Sequence, residues 1–400
     1  MQDKTNTSTQ PFLPVCLLEK LENERPNVSQ EEIEKVKTRI VKVLGHFKIR
    51  FIDIEVHCGL AYTSYKIRVA DETRFAYILD LREDFYLLLE DLGRHRLIVP
   101  SLGELAFSIE MTNANPQTVS LRTLIESDAF QKTEAELPLP LGMTIDNEPV
   151  VVDLAEMHSL LIGGAVMQGK TVCLHNIILE LLYRKRPNEL KFVIMDSLNK
   201  FHIYNKLKNS YLAILPNITP SIITEPAQME NALQSLQREM DRRYELIRNA
   251  KTRNITEYNA TVDDDNQLPN IVLIVNDYVD LLLGAHERVG TVCRALADLA
   301  LLGRAIGIHP IITTSRIVCP PWGFQCAFSA KIAFYTPTEF ESRRIISLTD
   351  ATCLNSQGDM LLDYHNNLLR LQGALVTHEE IERVVEYVEQ HEQYKAPSPL

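Results

Sequence analysis

The chain has 400 residues, 45% hydrophobic and 24% charged, with 15 Gly and 19 Pro; this fits a globular protein of two or more domains and excludes collagen-like or low-complexity architecture. A net charge of −12 argues against a surface that coats nucleic acid non-specifically, while leaving room for a local basic track. No apolar run approaches the ~20 residues of a membrane helix, and the polar N-terminus lacks the pattern of a secretory signal.

Residues 1–28 are polar and aperiodic, with Pro11, Pro14 and Pro26, and predict a disordered N-terminal arm. A helix starts at Ser29, where the spacing to Glu32 is that of a capping box, and Ile33, Val36, Ile40, Val43 and Phe47 give it one apolar face. Phe51–Val56 and Tyr62–Val69 alternate as half-buried strands around a turn at Gly59. A helical stretch through Phe75, Ile78, Leu81 and Phe85 follows, then strand-like Arg96–Val99 and Leu105–Met111. Residues 29–112 thus predict a small α+β subdomain.

Residues 113–394 differ in character. Apolar strands are predicted at Val150–Val152, Ser159–Ile162, Lys191–Met195, Ile271–Val275, His309–Thr314 and Lys331–Tyr335. Helices are predicted at about 170–184, 226–250 and 287–305. Strands apolar on both faces and separated by helices predict an α/β domain whose parallel sheet is covered by helices on both faces. An acidic amphipathic helix is expected over Glu379–Glu392 and a flexible tail over 395–400. The seven Cys are odd in number and include no C-x-x-C, which predicts reduced thiols in a cytoplasmic protein, without a disulfide frame or zinc site.

The chemistry centres on Gly164-Ala165-Val166-Met167-Gln168-Gly169-Lys170-Thr171, which matches G-x-x-x-x-G-K-[ST] with a strand before it and a helix, opening through Val172, after it. Backbone N–H groups of such a loop converge on a phosphate, the lysine reaches the β- and γ-phosphates of ATP, and the threonine hydroxyl holds Mg²⁺. Asn276 and Asp277 end a buried strand. Asn276 stands where an acid usually assists the metal, and Asp277 is the candidate to polarise an attacking water.

From about 29 to 390 the order of features resembles the motor region of the FtsK/SpoIIIE double-stranded DNA translocases. The residues are Leu139-Pro140-Leu141-Gly142 with Pro149–Leu154, Met240–Tyr244 with Arg253–Asn259, Leu302–His309, Glu341-Ser342-Arg343 and Gly358-Asp359-Met360-Leu361. The resemblance implies a RecA-like P-loop NTPase core preceded by the small subdomain, and a hexameric ring driven by ATP with double-stranded DNA in its channel. It matches Ser315 to the polar sensor and makes Arg304 and Arg343 candidates for arginines acting in trans on a neighbour's nucleotide. The basic run Arg238, Arg242, Arg243, Arg248, Lys251 and Arg253 is expected near the channel, or else is a solvated face bridged to Glu239, Asp241 and Glu245. Trp322 is read as an interface or channel residue or as plain packing.

The chain departs from the family pattern at Met167, a glycine in the family, at Asn276, and at Ser315, a glutamine. A side chain at Met167 is expected to crowd the γ-phosphate or forbid the loop's usual backbone angle, Asn276 loses a charge opposite Mg²⁺, and Ser315 has a shorter reach; together these point to weakened hydrolysis. One reading is therefore an ATP-dependent translocase, as a homo-hexamer or in a mixed ring with an active homologue, without membrane anchor or winged-helix module. A second is a nucleotide-binding, hydrolysis-deficient platform or regulatory subunit. A third is a pumping or coupling ATPase of a secretion or conjugation system.

Overall fold

The computed structural model describes residues 12–22, 24–70, 75–98, 105–216, 220–285, 288–316, 324–365 and 367–391. Trp322, residues 1–11 of the expected arm and the 395–400 tail lie outside the described residues.

The small subdomain opens with helix α1 (Gln30–His46), followed by strands β1 (Phe51–Cys58) and β2 (Tyr62–Val69), helices α2 (Phe75–Asp80) and α3 (Arg82–Leu89), and strands β3 (His95–Ile98) and β4 (Ala106–Thr112). The strands form an antiparallel sheet in the order β1-β2-β4-β3. Val36, Ile40 and Leu44 of α1 pack with Ile67, Phe85, Phe107 and Ile109 into one core. The Ser29 hydroxyl caps α1 by accepting from the Glu32 N–H at 3.1 Å. The Glu32 carboxylate instead accepts from the Ala114 N–H at 2.9 Å, tying α1 to the exit of the subdomain rather than closing a reciprocal box.

The larger domain continues with β5 (Val119–Ser120), α4 (Leu121–Glu126), α5 (Asp128–Gln131), β6 (Pro138–Met143), β7 (Pro149–Asp153), α6 (Leu154–Met157), β8 (Leu160–Gly163), α7 (Lys170–Arg184) and β9 (Leu190–Asp196). Then come α8 (Pro226–Ala250), α9 (Ile255–Asn259), β10 (Asn270–Asn276), α10 (Tyr278–Ala285), α11 (Val289–Leu302), β11 (Ile308–Thr314) and β12 (Ala330–Phe334). The chain closes with α12 (Glu339–Ile346), β13 (Asp359–Tyr364), β14 (Asn367–Gln372), β15 (Ala374–Leu375) and α13 (His378–Gln390).

Among the described residues, nine strands form one sheet in the order β7-β6-β14-β13-β12-β8-β11-β10-β9. The five from β12 to β9 are mutually parallel, as expected. The other four extend the sheet antiparallel, so it is mixed rather than parallel throughout. The link between β13 and β14 is too short for a parallel crossover, which dictates this pairing. The central strands read as unbroken apolar runs because both faces are buried. Leu160, Ile162, Val272 and Ile274 face a core shared with α7 and α13. Leu161, Ile271, Leu273 and Val275 face a core built with α8, α10 and α11. The helix expected over 287–305 is α11 followed by a short 3-10 turn at Gly303–Ile306, and α10, which immediately follows Asp277, was not anticipated from the sequence.

The expected mobile arm is docked over its described part. Leu13 and Leu18 are buried in the α7–α13 core. The Phe12 N–H donates to the Tyr183 carbonyl at 3.0 Å, the Tyr183 hydroxyl to the Pro14 carbonyl at 3.1 Å, and Arg383 Nε to the Leu17 carbonyl at 3.1 Å. The segment is irregular apart from one 3-10 turn at Val15–Leu17, so its apolar residues carry no period for a sequence reading to detect.

A buried charge cluster joins the subdomain to the sheet. Arg370 on β14 makes a two-pronged contact with Asp359 (2.9 and 2.6 Å), a third bond to Glu110 on β4 (2.9 Å), and lies 4.1 Å over the Tyr62 ring. Arg96 on β3 bonds Asp350 at 2.7 Å. Each guanidinium is matched by carboxylates with directed hydrogen bonds, the condition under which buried charge is tolerated.

Candidate nucleotide-binding site

Strand order positions the site. The loop leaving β8 lies at the carboxyl ends of the parallel strands, and β11 separates β8 from β10. Thr314 and Ser315, at the end of β11, therefore stand between the glycine loop and the Asn276–Asp277 pair. Loop and strand tips share a cleft of about 840 Å³.

The loop keeps its shape because Phe334 packs beneath it. Gly164 has φ +149°, and a Cβ there would stand 2.7 Å from the Phe334 Cβ. Gly169 has φ +113°, a left-handed conformation that favours glycine. The Ala165 N–H donates to the Tyr335 carbonyl at 2.8 Å, pinning the loop to the end of β12. Gly169 is the N-cap of α7 and provides no side-chain cap, so first-turn N–H groups point into the cleft as an anion cradle. Met167 takes φ +64° without being glycine, and its side chain is 92% exposed. The methionine therefore adopts the loop's left-handed angle and turns its bulk outward; the backbone angle was not forbidden to it. The cost of that angle is about 1 kcal/mol.

Lys170 is buried and donates to the loop's own carbonyls, at 2.8 Å to Gly164 and 2.6 Å to Ala165. Burial pushes its ammonium down to about 8; Asp277 opposes the shift and Lys200 adds to it. A charged amine held against carbonyls by a desolvating wall is poised to turn towards a polyphosphate.

At the strand tips, both ends of the Asn276 amide are engaged. Its Nδ2 donates to Asp196 Oδ1 at 2.8 Å, and its Oδ1 accepts from the Thr313 hydroxyl at 3.2 Å. Asp196 is fully buried and also accepts from the Phe201 N–H at 3.0 Å. The amide thus keeps a buried carboxylate at the end of β9 satisfied, a role that the sequence did not reveal. Asp277 sits at φ +55°, with its N–H donating to Thr313 Oγ1 at 2.8 Å. The Ser315 hydroxyl donates to Asp277 Oδ2, whereas Asp277 Oδ1 is buried without a partner. That orphaned oxygen, with the Thr171 hydroxyl on the same cleft, fits a divalent cation or its water shell.

The structure brings together Val166, Met167, Gly169, Lys170, Thr171, Val172, Asn276, Asp277 and Ser315 around this cleft. Arg304 and Arg343 are elsewhere. Arg304 precedes β11, at the opposite end of the strands from the loop, and its Nη1 lies 2.8 Å from His158 Nε2. Arg343 is exposed on α12 and pairs with Glu339 at 2.8 Å. Arg243, grouped above with the basic run, is fully buried and donates to the Pro269 and Ile306 carbonyls, both at 2.9 Å, and to Glu239 at 2.7 Å. It locks α8 to the sheet and is not a surface contact. Sequence reasoning missed Lys200, Arg316, Asn176, Glu180 and Gly358, which also line the cleft. Arg316 follows the sensor serine and was within reach of motif reasoning. Gly358 opens a family motif quoted above without a site role, and the other three arrive through tertiary packing alone.

Comparison with known proteins agrees with this architecture. The FtsK/SpoIIIE family profile matches residues 120–319, and the FtsK alpha domain profile matches residues 13–113, including the docked N-terminal segment. "DNA translocase FtsK" of Chlorobaculum tepidum is 31% identical over 97% of this chain and 49% of its own length. "DNA translocase SpoIIIE" of Bacillus subtilis is 31% identical over 89% of this chain and 46% of its own length. The chain thus spans about half the length of the curated relatives it matches. Among solved structures, the pCW3 conjugation coupling protein TcpA with ATPγS has a TM-score of 0.59 at 16% identity, covering 88% of this chain and 99% of that one. The cytoplasmic domain of the Thermomonospora curvata type VII secretion ATPase EccC has a TM-score of 0.58 at 21% identity, covering 71% and 35%. These two neighbours share the RecA-like P-loop fold. Among the described residues no helix is long and apolar enough to cross a membrane. With matching family profiles over both domains and relatives above 30% identity along nearly the whole chain, this protein belongs to the FtsK/SpoIIIE family.

Proposed function

We propose that the chain is an ATP-dependent motor module that moves on double-stranded DNA, assembled as a homo-hexamer or in a mixed ring with an active homologue, in the cytoplasm. The observation that carries this reading is the intact phosphate cradle: uncapped α7, Gly169, and a buried Lys170 held ready at 2.6–2.8 Å on its own loop. Family membership supports duplex DNA as the track, and the exposed Arg238, Arg248, Lys251 and Arg253 supply cations suited to sequence-independent phosphate contact.

In this reading Lys170 would turn from the loop carbonyls to the β- and γ-phosphates, and Thr171 with Asp277 Oδ1 would hold Mg²⁺ or its water shell. The metal, when bound, neutralises charge developing on the transferred phosphoryl group. Asp277 orients the attacking water, and Ser315 fixes the carboxylate that does so. Asn276 stays with Asp196 and contributes no charge to the metal. Arg304 and Arg343 would meet a nucleotide only from a neighbouring subunit.

A second reading, a nucleotide-binding platform that hydrolyses slowly, is favoured by a specific observation. The Ser315 hydroxyl already occupies Asp277 Oδ2, the strand-end neighbour of Asp277 is the amide Asn276, and the nearby cleft acid Asp280 is itself engaged by the Ser197 hydroxyl at 2.7 Å. Steady-state ATP hydrolysis with and without linear duplex DNA, beside Lys170→Ala, separates the two. Turnover that rises with duplex and disappears in the variant supports the motor. Nucleotide binding without turnover above the variant sinks it and leaves the platform.

A further inference from the structure

The cleft extends beyond the phosphate cradle along the flank of α7. There Asn176 and Glu180, one helical turn apart, reach its wall beside Ala374 and Leu375. The helical rise places them about 9 and 15 Å along the axis from Lys170, the span of a nucleoside triphosphate from its inner phosphates to the far edge of its base. The walls between are apolar, with Cys173, Ile177 and Phe334.

Both polar side chains are more than nine-tenths buried, and each has an atom with no hydrogen-bond partner among the described residues. Asn176 is 6% exposed; its Nδ2 donates to the Ala374 carbonyl at 2.7 Å, which leaves Oδ1 without a donor. Glu180 is 1% exposed, and its Oε2 has no partner. An unmade buried hydrogen bond costs about 1–3 kcal/mol, and two on one wall of a cleft require an explanation. We propose that Asn176 and Glu180 form a base-reading pair that selects adenine over guanine in the nucleotide held by the Lys170 loop. The proposal rests on the nucleotide-site reading above.

The chemistry fixes the choice of base. Burial holds the Glu180 carboxyl well above the usual carboxylate range, which favours the neutral acid and its O–H as a donor. The orientation of the Asn176 amide, set by Ala374, presents an acceptor. Adenine offers the complement: a ring nitrogen that accepts and an exocyclic amine that donates. Guanine offers a carbonyl where adenine has its amine, which would face the Asn176 oxygen, and a ring N–H against the acid proton. A site whose buried polar groups go unpaired with the wrong base discriminates more strongly than an apolar slot.

The test is equilibrium binding of Mg²⁺–ATP and Mg²⁺–GTP by calorimetry to the wild type, Glu180→Leu, Glu180→Gln, Asn176→Ala and Lys170→Ala, each checked for folding by thermal melting. The wild type is expected to favour ATP by at least ~10-fold, the value of one well-made hydrogen bond. Glu180→Leu and Asn176→Ala lose that preference mainly by weakening ATP. Glu180→Gln, which keeps a donor and an acceptor without charge, retains it. Equal ATP and GTP affinities in the wild type, or an undiminished preference in both Glu180→Leu and Asn176→Ala, overturn the base-reading pair while leaving the nucleotide site intact. Binding of neither triphosphate above Lys170→Ala overturns both readings.

Discussion

Asn276→Asp restores the acid that the sequence pattern of a P-loop enzyme leads one to expect, yet the structure predicts a cost. The substitution is nearly isosteric, but it replaces the amide that donates to buried Asp196 at 2.8 Å with a second carboxylate. Two unit charges at that distance repel by about 6 kcal/mol at an effective dielectric constant of ~20. Proton uptake by one of the two and side-chain relaxation cap the loss, leaving a deficit of about 3 kcal/mol at neutral pH, typical of an uncompensated buried charge. The sign with pH follows. In the unfolded chain both acids ionise near pH 4, whereas the folded variant holds a proton longer. Stability relative to the wild type therefore falls as pH rises above ~4, and the gap nearly closes below it. Thermal unfolding of both proteins at pH 4.5 and pH 8 measures this directly, with a Tm deficit of roughly 4–5 °C expected at pH 8. A cation bridging the pair relieves the repulsion, so Mg²⁺–ATP is expected to raise the Tm of the variant more than that of the wild type. A variant as stable as the wild type at both pH values would refute the pairing of Asn276 with Asp196 as the reason for an amide at this position.

Two further predictions follow from buried cations. Lys170, held down to about 8 in the ligand-free site, is partly neutral at pH 8, and a polyphosphate favours its charged form. Nucleotide binding at pH 8.5 therefore takes up a fraction of a proton, seen as a buffer-dependent binding enthalpy; the uptake fades towards pH 7 and is absent in Lys170→Met. Arg370→Met removes the shared counter-charge of Asp359 and Glu110, and a loss of about 3–5 kcal/mol in denaturant unfolding is expected. Loss below 1 kcal/mol would mean that the cluster does not hold the subdomain to the sheet.

Much of this molecule is legible along the chain. The helix over 170–184 and the long helix over 226–250 lie where periodicity placed them, because each must bury one apolar stripe against the sheet. The central strands announce themselves as unbroken apolar runs because helices cover both faces. The glycine loop is legible because its conformation demands particular residues at particular spacings: Gly169 for the left-handed cap and Gly164 to clear Phe334. Other features are silent in sequence. The antiparallel half of the sheet is assembled from short segments whose partners are distant along the chain, such as β6 against β14. The N-terminal segment is ordered by a groove between α7 and α13 and not by any period of its own. Arg243 looks like one cation among six until packing buries it among carbonyls. Asn276 looks like a lost acid until Asp196, 80 residues away in sequence, is found at its Nδ2. The sequence by itself determined the fold class, the family and the phosphate loop, because these rest on local conformation and repeated burial. Only the tertiary structure decided which polar groups share a buried space, and with that the charge state of Lys170, the partner of Asn276 and the far wall of the cleft, because desolvation and pairing act through space and leave no spacing to read.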